Sequence, residues 1–250
     1  MSVLLSAFRF PLFTVLLLIP VLARAQQGVT TFGMQVKPVV PLSFFDPRVE
    51  LQGGALRGSV ELTGGFGFGM QVRHGFTRML SLETGIHQIR RNYRWELVND
   101  TVDIAGSGRI RYVGYEVPVL LLVYIRLGQR TWMNTALGAS LDMYPSDAIN
   151  NTDDARAYFF RRNWLQVGAV GNIGFEYRTE RSGYFYFGAT YHRAFDDMAV
   201  AELTYFDANS VGRAILTGLS GSYLTADLRY FFHEDPQRRA ERRQRRGKGN

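Results

Sequence analysis

The sequence predicts an all-β chain: an eight-stranded antiparallel transmembrane β-barrel of the outer-membrane type, with a leader in front and a basic tail behind. Three observations lead there. Segment after segment alternates with period two, which places successive side chains on opposite faces of a strand, and no apolar set contains a charge. The connections alternate as well: short turns at 75–79, 127–130 and 179–183 separate long polar loops at about 41–58, 96–108, 144–163 and 196–216. Tight periplasmic turns on one rim and long external loops on the other are the asymmetry of a membrane barrel, which a soluble sandwich or lipocalin-type barrel does not require. Finally, aromatic residues gather where the strands should end. Phe76, Trp132, Tyr177, Tyr230 and Phe232 fall at the short-turn end, and Tyr93, Trp95, Tyr112, Tyr144 and Trp164 at the other, as interfacial girdles would.

Residues 1–25 read as a signal peptide. Arg9 precedes the apolar run FPLFTVLLLIPVLA, and Ala23-Arg24-Ala25 offers small residues where a signal peptidase reads them, so Gln26 is the expected mature N-terminus. The run is short and broken by Pro20, which argues against a retained anchor. The barrel is expected over 26–232. Its first strand carries Phe32, Met34 and Val36 on one face. The second sets Phe66, Phe68, Met70 and Val72 against Gly65, Gly67, Gly69, Gln71 and Arg73; the third sets Leu80, Leu82, Thr84 and Ile86 against Ser81, Glu83, Gly85 and His87.

The fourth is YVGYEVPVLLLVYIRLG, residues 112–128, whose apolar run is far below the roughly 20 residues of a membrane helix. As a strand it faces lipid with Tyr115, Val117, Val119, Leu121, Val123 and Ile125, and the barrel interior with Glu116, Pro118, Leu120, Leu122, Tyr124 and Arg126. Pro118 removes one ladder donor and calls for a bulge or a wide-spaced ladder position. Strands five to eight follow the same rule at 133–143, 165–177, 185–192 and 223–232. Beyond them, residues 233–250 hold Pro236 and dense like charges, a composition expected to remain a disordered periplasmic tail.

The net charge of +7 would suggest a nucleic-acid partner if it were spread over the fold. Arg9 and Arg24 put +2 in the leader and the segment after Phe232 carries +4, leaving only +1 on residues 26–232. No nucleic-acid partner is therefore expected, and the partner that a membrane barrel implies is outer-membrane lipid. A chain with a leader but no cysteine has neither a disulfide framework nor a lipidated cysteine, which favours a bacterial envelope. There, Asn99-Asp100-Thr101 and Asn150-Asn151-Thr152 are chance matches to the glycosylation pattern.

Tyr115-Glu116-Val117-Pro118-Val119-Leu120-Leu121-Leu122 resembles the Tyr-x-Glu-aliphatic-Pro-aliphatic-Leu-Leu strand of the outer-membrane β-barrel domain widespread in Bacteroidetes, which includes PorT-like proteins. The glycine-rich stretch Gly65 to Arg73 adds to the resemblance, which covers about 26–232. Val123 stands where that family often has lysine, and this chain continues past its last aromatic strand. The resemblance implies an outer-membrane location and, through some members, a link to protein secretion, with an envelope or secretion protein as the expected protein partner.

An eight-stranded barrel has an interior just wide enough for side chains to fill it. Its inward charges, Arg73, Glu83, Glu116, Arg126, Glu176, Arg178, Asp227 and Arg229, must then pair with one another, because an isolated buried charge is far costlier than a paired one. They read as a structural polar network. A lipid A-modifying barrel enzyme is the first alternative, and it would need a histidine with serine or acidic partners reachable from lipid. Of His74, His87, His192 and His233, His87 and His192 fall in inward sets, and no nucleophile motif accompanies either. A soluble periplasmic ligand-binding β-barrel is the second alternative. No metal-ligand spacing or phosphate-cradling loop appears, and no cofactor is expected. The expected function is thus non-enzymatic: structural, adhesive or secretion-linked. Residues 144–163, with Tyr158, Phe159 and Phe160 beside Arg161 and Arg162, are the loop best suited to binding, unless those aromatics belong to the next strand.

Overall fold

The computed structural model describes residues 29–42, 47–77, 79–101, 104–180, 182–207, 209 and 211–233. The expected signal peptide, 1–25, and the expected tail from 234 onward lie outside the described residues. Thirteen strands run in chain order: β1 Thr30–Val40, β2 Arg48–Gly53, β3 Leu56–Gly75, β4 Leu80–Asn99, β5 Ile104–Arg126, β6 Thr131–Met143, β7 Ala148–Asn151, β8 Ala155–Arg161, β9 Leu165–Arg178, β10 Tyr184–Ala194, β11 Asp197–Phe206, β12 Gly212–Ser220 and β13 Tyr223–Phe231. Eight of them, β1, β3, β4, β5, β6, β9, β10 and β13, hydrogen-bond in that order, with β1 on β3 from Thr30↔His74 to Val39↔Gly65, and β13 closes the ring on β1 from Gly33↔Phe231 to Val40↔Leu224. The ring is a closed antiparallel barrel, and each of its strands overlaps one of the predicted eight, β5 and β13 ending at Arg126 and Phe231, just short of the expected bounds.

The lower barrel is inside-out relative to a soluble protein. Its outer surface bears exposed Met34, Phe68, Met70, Leu137, Phe187 and Leu228, while Gln35, Gln71, Glu83, Asn134, Glu176 and Asp227 are buried inside. On β5 the outward apolar set runs from Tyr115 to Ile125 and rises roughly 25 Å at a strand tilt near 40°, the height of a lipid-facing band. The β4–β5 register passes Pro118 without a shift, so there is no bulge; the ladder instead lapses for Gly85 and Ile86 opposite it.

The long connections are not polar loops. β3, β4 and β5 have 20, 20 and 23 residues, about twice what a membrane crossing needs, and their outer halves project beyond the belt. The reason lies in the alternation, which keeps its period but changes sign. Along β4 the outward set passes from Leu82 and Ile86 to Gln88, Arg90, Asn92 and Arg94, while the inward set passes from Glu83 and His87 to Ile89, Tyr93, Trp95 and Leu97. Above that inversion the strands behave as part of a water-soluble protein. At the same level β3 exchanges β1 for β2 as its neighbour, across a bulge between Leu62 and Gly64 where Gly64 takes φ 136°, a value side chains rarely adopt.

A second sheet, in the order β12-β11-β8-β7, is built from the connections 144–163 and 196–216 and packs onto these projecting strands. Trp95, Leu97, Phe159, Ala201, Leu203 and Ile215 lie in the shared core, each almost inaccessible. The two sheets approach closely at Gly58, where a Cβ would sit 2.8 Å from Leu203 Cδ1. The result is a β-sandwich cap over the long-connection end of the barrel. Tyr93, Trp95, Tyr112 and Tyr144 correct the girdle assignment: they are 5% exposed or less and fill the junction between lumen and cap, whereas Trp164 is exposed. Phe159 is likewise core of the cap, on β8 of the second sheet and not on the next barrel strand.

Candidate functional site

The polar interior is the densest concentration of chemistry in the described residues, and it forms two clusters. In the lower one, six of the predicted residues join in a single chain. Asp227 Oδ2 accepts from Arg229 Nη2 at 2.6 Å, Arg229 Nη1 donates to Glu83 Oε1 at 2.7 Å, and Glu83 Oε2 accepts from Arg73 Nε and Nη2 at 3.0 and 2.9 Å. Arg73 Nη1 then reaches Glu176 Oε2 at 2.6 Å, and Glu176 Oε1 accepts from Arg178 Nε at 2.6 Å. The chain is charge-balanced and hydrogen-bonded from each group to the next, the arrangement in which buried ions are tolerated, although Arg229 Nε is left without a partner. Aromatic faces cover the guanidiniums: Arg73 lies 3.8 Å from the Phe231 ring, Arg229 4.5 Å from Tyr186 and Arg178 4.7 Å from Trp132. Because β3 and β9 lie on opposite sides of the eight-strand ring, the Arg73–Glu176 pair crosses the full diameter.

Two of the predicted residues are elsewhere. Arg126 is the last residue of β5, where the barrel wall ends; its side chain is exposed, donating to Gly128 O at 2.9 Å, and takes no part in the network. Glu116 is buried but belongs to the upper cluster, whose other members the alternation left unassigned to a network. Tyr223 donates to Glu116 Oε2 at 2.6 Å, Arg91 Nη2 lies 3.5 Å from Oε1, and Lys37 Nζ 3.7 Å from Oε2. β5 and β13 also face each other across the ring, so this second bridge spans the lumen too. His192 stacks on Tyr223 at 4.9 Å, with Nε2 2.9 Å from Asp142 Oδ2 and 2.8 Å from Ser140 Oγ. Between the clusters lies a cavity of about 10 Å³, room for roughly one water, bordered by His87.

Two chemistries can be tested against this geometry. A nucleophilic triad needs the acid on one imidazole nitrogen and the hydroxyl on the other. Here Ser140 and Asp142 both approach Nε2, Ser140 donates to Asp142 Oδ1 at 2.6 Å, and Nδ1 has no hydrogen-bond partner. All three side chains are also buried, out of reach of lipid or solvent. For a metal, the donor atoms of Glu116, Asp142 and His192 lie within 4.8 Å of one another. Yet Glu116 already serves Tyr223, Arg91 and Lys37, and a dication would sit against two cations. The cluster therefore works as a hydrogen-bonded closure of the lumen and fits a metal poorly.

In the cap, Asn150 accepts from Trp95 Nε1 at 2.9 Å, which turns one of the apparent glycosylation sites toward the core. Tyr158 donates to Asp147 Oδ2 at 2.9 Å, and that carboxylate holds the phenol above its ordinary range.

No known family model matches the chain, and no curated protein does. Among solved structures, the outer membrane protein OprG from Pseudomonas aeruginosa is similar over 84% of this chain and 98% of its own, at 11% identity and a TM-score of 0.49. The outer membrane protease OmpT from Escherichia coli shares 11% identity over 82% of this chain and 94% of its own, at a TM-score of 0.39. The translocator domain of the autotransporter NalP from Neisseria meningitidis reaches 0.21 at 8% identity, covering 84% and 90%. At these scores the likenesses carry no inference about activity, and the outer-membrane barrel architecture rests on the closed ring, its inverted polarity and its apolar belt.

Proposed function

We propose that this chain is a non-enzymatic outer-membrane protein of a bacterial envelope, in which a self-plugged barrel anchors a β-sandwich presented outside the cell for adhesion or for contact with a secretion partner. The observation that carries the proposal is the double closure of the lumen, by Arg73–Glu176 and Glu116–Tyr223, beneath a cap that has its own apolar core. A barrel filled in this way cannot serve as an open pore, so its use lies in what it holds up.

The test is topological and electrical. An epitope placed between β11 and β12 should be reached by protease on intact cells, and one in the 127–130 turn should not. The purified chain in planar bilayers should pass no steady current. Accessibility of the 127–130 turn alone would reverse the orientation, and stable conductance would sink the closed-anchor reading.

A further inference from the structure

The surface just above the apolar belt on β4 and β5 carries a charge pattern that nothing inside the chain explains. Arg90 and Arg94 on β4 and Arg109 and Arg111 on β5 all point outward and are exposed. Arg94 stands directly opposite Arg109, and Arg111 opposite Asn92. Like charges placed opposite each other on neighbouring strands destabilise a sheet. Glu61, opposite Arg94 on β3, and Glu96, two positions further up β4, are the nearby carboxylates of this face. Among the described residues, none of the four arginines is in an ion pair. With Thr63 and Asn92, three of them line a shallow concavity of about 520 Å³. The Arg90 guanidinium lies 5.9 Å from the ring centroid of Phe68, an exposed belt residue, which fixes the lower edge of the patch at the top of the belt.

We propose that this patch binds a phosphorylated glycolipid of the outer leaflet. The inference rests on the membrane reading given above. Charge complementarity and continuity with the belt name the occupant. Counting along the strands from Tyr115, Arg90 stands roughly 5 Å above the belt, Arg111 roughly 10 Å, and Arg94 and Arg109 roughly 15 Å. The phosphates of an ordinary phospholipid lie in one layer and would meet only the lowest of these. A diphosphorylated disaccharide headgroup, with a phosphate at each end and sugar hydroxyls between, can meet more than one of these levels. Guanidinium groups suit that ligand, because their planar forks bind phosphate through paired hydrogen bonds.

The full chain in neutral detergent can be titrated with diphosphoryl lipid A, its dephosphorylated form and phosphatidylglycerol, with bound lipid counted by native mass spectrometry. Diphosphoryl lipid A should bind best, and Arg90→Gln/Arg94→Gln/Arg109→Gln/Arg111→Gln should weaken it on the order of 10²-fold while leaving the other two lipids little changed. Equal binding by the two proteins, or phosphatidylglycerol held as tightly as diphosphoryl lipid A, would overturn the proposal. A second measurement does not depend on the quadruple variant folding. Arg94→Gln/Arg109→Gln, compared in lipid-free detergent, should melt at or above the unaltered chain, because opposed charges have been removed; a lower midpoint would make these arginines structural and defeat the assignment. The membrane reading has its own readout. The unaltered chain should resist alkaline carbonate extraction from membranes, and its release would remove that reading whatever the lipid titration gave.

Discussion

Replacing Glu176 by glutamine tests the closed lumen most directly. The side chain is fully buried, and its two oxygens accept from Arg73 and Arg178 at 2.6 Å each. Glutamine keeps the shape, removes the charge and turns an amide NH₂ toward one guanidinium. Two charge-assisted hydrogen bonds of about 1.5 to 3 kcal/mol each are weakened or lost. The balanced chain from Asp227 to Arg178 is left with one uncompensated positive charge, and breaking a buried pair on one side costs about 3 to 5 kcal/mol. We take that range as the expected loss. The paired control is Glu180→Gln at the rim, where the Arg130–Glu180 partners are 51% and 75% exposed and solvent screens the pair, so little stability should be lost. Urea unfolding in detergent, followed by gel mobility shift, reads both variants, with an unchanged slope showing that the same surface is exposed. If Glu176→Gln lost no more than Glu180→Gln, the interior network would not hold the barrel together and its charges would need another purpose.

Leu121 is half-exposed near the middle of the belt, so Leu121→Arg should cost about 2 to 4 kcal/mol, while Leu216→Arg on the exposed face of β12 should stay within about 0.5 kcal/mol. Equal refolding yields would mean that the belt does not face lipid. Trp95→Ala removes a fully buried ring from the cap core and should cost about 3 to 5 kcal/mol there, opening 144–163 and 196–216 to limited proteolysis while the barrel keeps its mobility shift; an unchanged digestion pattern would deny the cap a core of its own. Deleting residues 234–250 should leave membrane assembly intact, because β13 ends at Phe231 and Phe232 N makes a last bond to Phe32 O at 2.8 Å. Failure of the truncated chain to reach the outer membrane would tie the tail to assembly.

The barrel was legible because a single rule, apolar residues facing out, operates along the membrane-crossing part of each of its strands. The same rule hid the cap. The upper part of β4 looks polar when Arg94 and Glu96 are averaged with Trp95 and Leu97, and only the parity of the alternation reveals a strand whose apolar side has moved from the outside to the inside. β7 has four residues and β8 seven, too few for period two to stand out from a loop. Of the network, Arg73, Glu83, Glu176, Arg178, Asp227 and Arg229 could be named from parity alone. Arg91 escaped because the alternation on β4 was followed only as far as His87, and Lys37 because only the apolar face of β1 was read. Arg126 had the right parity at a level where no wall remains to enclose it. The connection of Glu116 to Tyr223 joins strands four places apart in the ring, and no local pattern contains that distance.

Because β3, β4 and β5 run unbroken from the belt into the sandwich, the cap is mounted without a joint. Three long strands paired side by side resist bending far better than a flexible tether, and Gly64 permits a change of neighbour without interrupting β3. Whatever pulls on the cap therefore pulls on the wall of the barrel. The load would pass down those three strands to the Arg73–Glu176 cross-brace, so the anchoring strength of the molecule should depend on its interior salt bridges as much as on lipid. A held partner would also meet the cap at one fixed height and orientation above the bilayer.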